Sequence, residues 1–150
     1  MSTYENLVNE LKIKLQDKKL KFNKIFTLIN NEDYQQIIEI TKDNSINILI
    51  ENIMNERIRI GNSMEKKLNN LIWLNERLIQ FNYEPEQSIT KALRILKKIF
   101  INIYDLESEQ YDKITTKQLL RKELMKKRNR CFPLNYAKGN KTLRCFLIKI

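Results

Sequence analysis

The sequence predicts an all-α fold, a bundle of five to seven amphipathic helices with a short C-terminal β-hairpin. Three observations carry that expectation. Gly and Pro occur only twice each in 150 residues, too few for the turns of a sandwich, a barrel or a glycine-looped α/β fold. Apolar residues recur at i, i+3, i+4 and i+7 along most of the chain, the period of a helix with one buried face. Most such stretches open on Ser, Thr, Asn or Asp, whose side chains accept from the unpaired N–H groups of a first helical turn. The composition, 42% hydrophobic and 31% charged, supplies a core and is too apolar for a disordered chain.

Ser2 followed by Glu5 reads as a capping box. The helix it opens puts Tyr4, Leu7, Val8, Leu11 and Leu15 on one face, and Lys18, Lys19 and Lys21 lie near its negative dipole end. Residues 22–29 make one or two further turns. Asn31 can cap the next helix, which turns Tyr34, Ile37, Ile38 and Thr41 inward. The turn at 43–45 ends in Ser45, a good N-cap for a strongly apolar helix through Leu49, Ile50, Ile53, Met54 and Ile58 towards Ile60. Its many β-branched residues make a strand conceivable at 46–50, but the i, i+3, i+4 spacing favours helix. Gly61 is either a stop or a kink.

A helix over 63–81 is expected to bury Met64, Leu68, Leu71, Ile72 and Leu78, with Trp73 at the core edge. Pro85 suits the first turn of a helix running to about Tyr104. That helix buries Ile89, Ala92, Leu93, Leu96, Ile99, Phe100 and Ile103 and shows Lys91, Arg94, Lys97 and Lys98 outward. Residues 106–112 read as a connector. Thr115 or Thr116 caps a last helix with Leu119, Leu120, Leu124 and Met125 as its apolar stripe. A Lys138-Gly139-Asn140 turn and the alternation of Leu143, Cys145 and Leu147 then read as the hairpin.

Histidine is absent, which removes the commonest general base and the commonest metal ligand. Two cysteines, Cys131 and Cys145, suit neither a zinc site nor a disulfide framework. With Gly61 and Gly139 the only glycines, phosphate-cradling loops and nucleophile elbows are not possible. The acid pairs Glu32 with Asp33 and Glu84 with Glu86 sit where helix starts attract carboxylates. These features weigh against an enzyme and imply no cofactor, no metal and no catalytic residue. The polar start of the chain lacks a signal-peptide pattern and no apolar run is long enough to span a membrane. The expected location is intracellular, nuclear or cytoplasmic, with no membrane partner.

Charge is unevenly distributed. Residues 113–150 carry twelve Lys and Arg against the single acid Glu123, a net +11, whereas residues 1–112 carry sixteen basic and seventeen acidic side chains. The chain therefore divides into a near-neutral helical body (1–112) and a basic helix plus hairpin (113–150) packed on the same domain. Such a concentration of like charge is relieved by a polyanion. The candidate binding residues are Lys117, Arg121, Lys122, Lys126, Lys127, Arg128, Arg130, Lys138, Lys141 and Arg144. The partner classes are nucleic acid, DNA or RNA contacted through its backbone, and an acidic protein, engaged by the same segment or by strand addition of the hairpin. No base-reading motif is present.

The run IMNERIRIGNSMEKKL at 53–68 resembles the central helix of GINS-complex subunits of the replicative helicase. Glu56, Arg57, Ile58 and Arg59 match the E-R-I/V-R group that leads into a basic helix end in that family. Glu84-Pro85-Glu86-Gln87 is similar to the acidic helix start that follows. The pattern from Tyr4-Glu5 to Asn31-Glu32-Asp33-Tyr34 fits loosely, so the likeness spans residues 1–105. That family also carries a β domain larger than the hairpin segment here. A second likeness, through LRILKKI at 93–99, is to the small helical bundles of transcription elongation factors and integrase-binding domains. Either resemblance implies a non-catalytic scaffold working on chromatin or DNA machinery.

Overall fold

Every α-helix but the second begins where a side chain accepts from its first turn. The computed structural model describes residues 2–133, which are mostly helical and contain eight α-helices. Helix α1 (Thr3–Asp17) is capped by Ser2, whose hydroxyl accepts from the Glu5 N–H at 3.2 Å. Helix α2 is Phe22–Asn30, and α3 (Tyr34–Thr41) is capped by Asp33 where Asn31 was expected to serve. Asp43 caps α4 (Asn44–Leu68), in place of the Ser45 the sequence suggested, and Asn70 caps α5 (Leu71–Gln80). Helices α6 (Ile89–Leu96), α7 (Ile103–Glu107) and α8 (Lys117–Lys126) start at Ser88, Asn102 and Thr116. A 3-10 turn, Tyr111–Lys113, precedes α8 and another, Arg128–Arg130, follows it.

Helix α4 is the spine. α1, α5 and α7 pack against it, α2 packs against α1 and α3, and α6 lies against α5. Gly61 neither stops nor breaks α4: the helix runs through it for 25 residues. The glycine serves a close approach, because a Cβ there would lie 3.2 Å from Cζ of Phe132. The break falls instead at Asn69 and Asn70. That shift resets the helical phase, so Leu74 and Leu78 are buried while Ile72, expected in the core, is 73% exposed. Ile58 also faces out, as its position on α4 places it well off the stripe of Ile53, Ile60 and Met64.

The long helix expected from Pro85 to Tyr104 is two helices, which is why there are eight where five to seven were expected. Pro85 lies in the link before α6. After Leu96 the apolar pattern changes from period 3.6 to a run in which Ile99, Ile101, Ile103, Tyr104 and Leu106 are all buried. A single helical face cannot hide so many consecutive positions. The chain therefore threads the core in extended form, and the Phe100 carbonyl accepts from the Thr115 N–H at 2.8 Å in an isolated antiparallel bridge. That bridge is the only β pairing among the described residues. The expected C-terminal hairpin, with Lys138, Lys141 and Arg144, lies outside them.

Candidate nucleic-acid interface

Helix α8 ends at Lys126, and its last carbonyls have no partner within the helix. The body supplies them. Asn23 Nδ2 donates to the Lys126 carbonyl at 2.8 Å and Asn30 Nδ2 to that of Arg128 at 3.0 Å. The Tyr4 hydroxyl donates to Asn129 O at 2.5 Å, and Asn102 Nδ2 to Arg130 O at 2.9 Å. Arg57 and the Tyr104 hydroxyl both donate to Cys131 O at 3.3 Å. Thus six side-chain hydrogen bonds from α1, α2, α4 and the start of α7 grip the backbone of residues 126–131. They read carbonyl positions, which leaves the side chains of this segment free to point elsewhere.

Arg57 is the centre of that grip. It is 1% exposed and lies 5.0 Å from the Phe26 ring centroid and 5.9 Å from that of Tyr4. Its hydrogen-bond partners are neutral: Asn30 Oδ1 at 2.8 Å, the Tyr4 hydroxyl at 3.4 Å and the Cys131 carbonyl. Tyr4 in turn stacks on Tyr104, with ring centroids 4.2 Å apart and planes 7° from parallel. Burial pushes the Tyr104 hydroxyl well above its ordinary pKa, and burial likewise raises that of the Cys131 thiol. Both stay protonated at neutral pH. Arg59, the other arginine of the same run, points out of the core and pairs with Glu56 at 2.6 Å and Glu107 at 3.1 Å.

Arg130, expected among the outward cations, is turned inward. It is 9% exposed, and its guanidinium meets Asp105 at 2.5 Å, Glu123 at 3.1 Å and Glu5 at 3.6 Å. The reason is that Asp105, on the short helix α7, is buried and needs a cation. Burial still pushes the Asp105 carboxyl upward, against the pull of Arg130. The same pairing occupies Glu123, the one acid of the basic segment.

The other predicted residues that the structure describes remain at or near the surface. Lys117, Arg121, Lys122, Lys126 and Lys127 are exposed, and Arg128 is half-buried. Leu120 and Leu124 hold α8 to the body, while Leu119 and Met125, expected in its apolar stripe, are 56% and 55% exposed. At 1.5 Å per residue, Lys122 and Lys126 stand about 6 Å apart along the axis, one turn of the outer face. The structure thus keeps five cations exposed along α8 and its C-cap, withdraws Arg130, and pairs Glu123 with it. Among the described residues no group of three His, Cys, Asp or Glu is placed to hold a metal ion, and no helix is long and apolar enough to cross a membrane.

The gripping residues were missed in the sequence, although one signal for them exists. Arg57 lies four residues after Ile53 and three before Ile60, in the middle of the buried stripe of α4. A charged residue in such a register needs a partner inside. Asn102 and Asp105 interrupt the apolar run 99–106 in the same way.

Compared with known proteins, the chain matches no family model, no functionally characterised protein and no solved structure.

Proposed function

We propose that this chain is a non-catalytic helical interaction subunit of a nucleic-acid-processing assembly, contacting the DNA or RNA backbone through the outer face of α8. The observation that supports this best is the contrast between the two sides of the basic segment. Its backbone at residues 126–131 is fixed by six hydrogen bonds into the core, its exposed side chains include five cations, and its one acid, Glu123, is paired with Arg130. Holding several cations at fixed spacing reduces the ordering cost of meeting a row of phosphates. The resemblance of residues 53–68 to GINS subunits belongs to the same reading, as a scaffold in a hetero-complex.

An acidic protein partner is the second reading, favoured by Leu119 and Met125, which are exposed among the cations of α8. An interface of apolar contacts with a charged rim would use both kinds of side chain. Deleting residues 113–150 cannot separate these readings, because it also removes Leu120, Leu124, Phe132 and the carbonyls that Arg57 needs. Charge reversal at two exposed positions, Lys122→Glu and Lys126→Glu, leaves those contacts in place. Mobility-shift titration at low salt should show the wild-type chain retarding an oligonucleotide and the double variant failing to do so. Equal retardation by both would exclude α8 as the contact surface. A wild-type chain that binds no nucleic acid at low salt would leave the acidic-protein reading.

A further inference from the structure

We propose that the groove between the α5–α6 link and residues 100–115 is a stacking site for unpaired nucleobases, so that the nucleic acid this chain engages is single-stranded. The inference rests on the backbone-contact reading of α8 and adds the chemical class of the strand.

The groove has a volume of about 460 Å³, within the usual range for sites that hold a small planar group. Four of its lining residues are aromatic, Phe81, Tyr83, Phe100 and Tyr111, with Lys98 and Asp112 as the charged ones. The wall behind them is rigid. Arg77 donates to the Tyr111 hydroxyl at 2.5 Å, and its guanidinium stacks 4.6 Å from the Tyr111 ring centroid and 5.3 Å from that of Trp73. Phe81 meets Tyr111 edge-on, with ring centroids 6.0 Å apart and planes at 80°. The bridge between Phe100 and Thr115 fixes the opposite side.

Tyr83 differs from these rings in being 43% exposed at the end of a well-held turn. Its N–H donates to the Leu78 carbonyl at 2.8 Å, and Asn82 before it adopts φ 67°, the left-handed turn that ends α5. An open ring on a fixed backbone, beside further rings, is the arrangement that accepts a base face without reading its identity.

Charge supports a polyanion over a neutral peptide. Lys91, Arg94 and Lys98 follow one another at i, i+3 and i+7 and are all exposed. They form a stripe that leads along α6 to the groove. Beyond it, Thr115 lines both this groove and the neighbouring cleft, where Lys113, Lys127 and Arg130 stand with Glu5, Asp105 and Glu123. Lys91 and Arg94 on α6, with Lys98 just past its end, therefore lead to the groove, and the cleft joined to it through Thr115 borders α8. The acid at the groove, Asp112, can accept from an exocyclic amino group. A duplex keeps its bases stacked and cannot present one here, whereas a single strand can.

The test uses the full chain, a single-stranded oligothymidylate with one 2-aminopurine, and a duplex with the same number of phosphates. The wild-type chain should quench 2-aminopurine fluorescence on binding and prefer the single strand. Tyr83→Ala should weaken single-strand binding about tenfold, leave duplex binding unchanged, and be rescued by Tyr83→Phe. Tyr83 is exposed, so circular dichroism should show the variant folded. Equal affinity for both forms, no quenching, and no effect of Tyr83→Ala would overturn the stacking site while the α8 contact stands. Binding of neither form at low salt would overturn both.

Discussion

Replacing Arg130 with Met asks whether this arginine belongs to the fold or to the contact surface. Arg130 is 9% exposed and Asp105 5%, so the substitution strands a carboxylate in the interior. Removing one member of a buried ion pair costs about 3–5 kcal/mol, and the more exposed contacts to Glu5 and Glu123 add less than about 1 kcal/mol. A loss of about 3 kcal/mol at neutral pH is expected, since the methionine recovers some packing. The pH dependence gives an independent check. Burial already holds the Asp105 carboxyl above its ordinary value of 3.8, and loss of the guanidinium raises it further. A folded-state pKa above the unfolded one means the folded chain binds that proton more tightly. The penalty is full above the folded pKa and shrinks as pH falls through it. Urea denaturation, followed by circular dichroism at about pH 7 and about pH 4.5, measures both. The Arg130→Met deficit should narrow in acid, and adding Asp105→Asn should recover most of it. A loss below about 1 kcal/mol, the range of exposed pairs, would refute the assignment of Arg130 to the core.

Two further substitutions probe other joints. Gly61→Val should destabilise by about 1–3 kcal/mol in the same denaturation assay, because its branched side chain forces Phe132 from its seat on α4; unchanged stability would mean that Phe132 does not hold the segment. Asp43 caps α4, and the Ser45 hydroxyl and the Ser45 and Ile46 amides hold its carboxyl at about 2, below its ordinary 3.8, against a smaller opposing effect of burial. Its folded pKa is depressed, so the stability it contributes is present above the unfolded value and is lost as pH falls towards 2. Asp43→Asn should therefore be less stable than wild type near neutrality, with the gap narrowing in acid denaturation as pH falls from about 4 towards 2.

How much of this was legible depended on the kind of signal. Stripes such as Tyr4, Val8, Leu11 and Leu15 follow directly from period, and the N-caps Ser2 and Thr116 were readable from residue type. Helix ends were harder because the chain seldom marks them with glycine. Lys19, Glu32, Asn82 and Glu109 take the left-handed conformation that a glycine usually supplies. Their neighbours Leu20, Asp33, Tyr83 and Gln110 each donate back to a carbonyl five residues earlier. The break at Asn69 and Asn70 also lacks a glycine, although both residues keep negative φ, and with it the outward turn of Ile72 was hidden. The cations of α8 were legible because composition shows charge. The inward turn of Arg130 was not, since its partner Asp105 is 25 residues away in a segment whose path only tertiary packing sets. Arg57 was legible in register, as a charged residue inside an apolar stripe.

The central claim is that the exposed cations of α8 meet phosphates. Its most direct test is the salt dependence of oligonucleotide binding by the full chain and by a variant with Lys117, Arg121, Lys122, Lys126 and Lys127 changed to Gln. Each single-strand phosphate contact contributes about 0.7 to the slope of log affinity against log salt. Five contacts therefore predict that the variant loses about 3.5 units of slope along with most of its low-salt affinity. A variant that keeps the wild-type slope would contradict the claim and place the contact elsewhere.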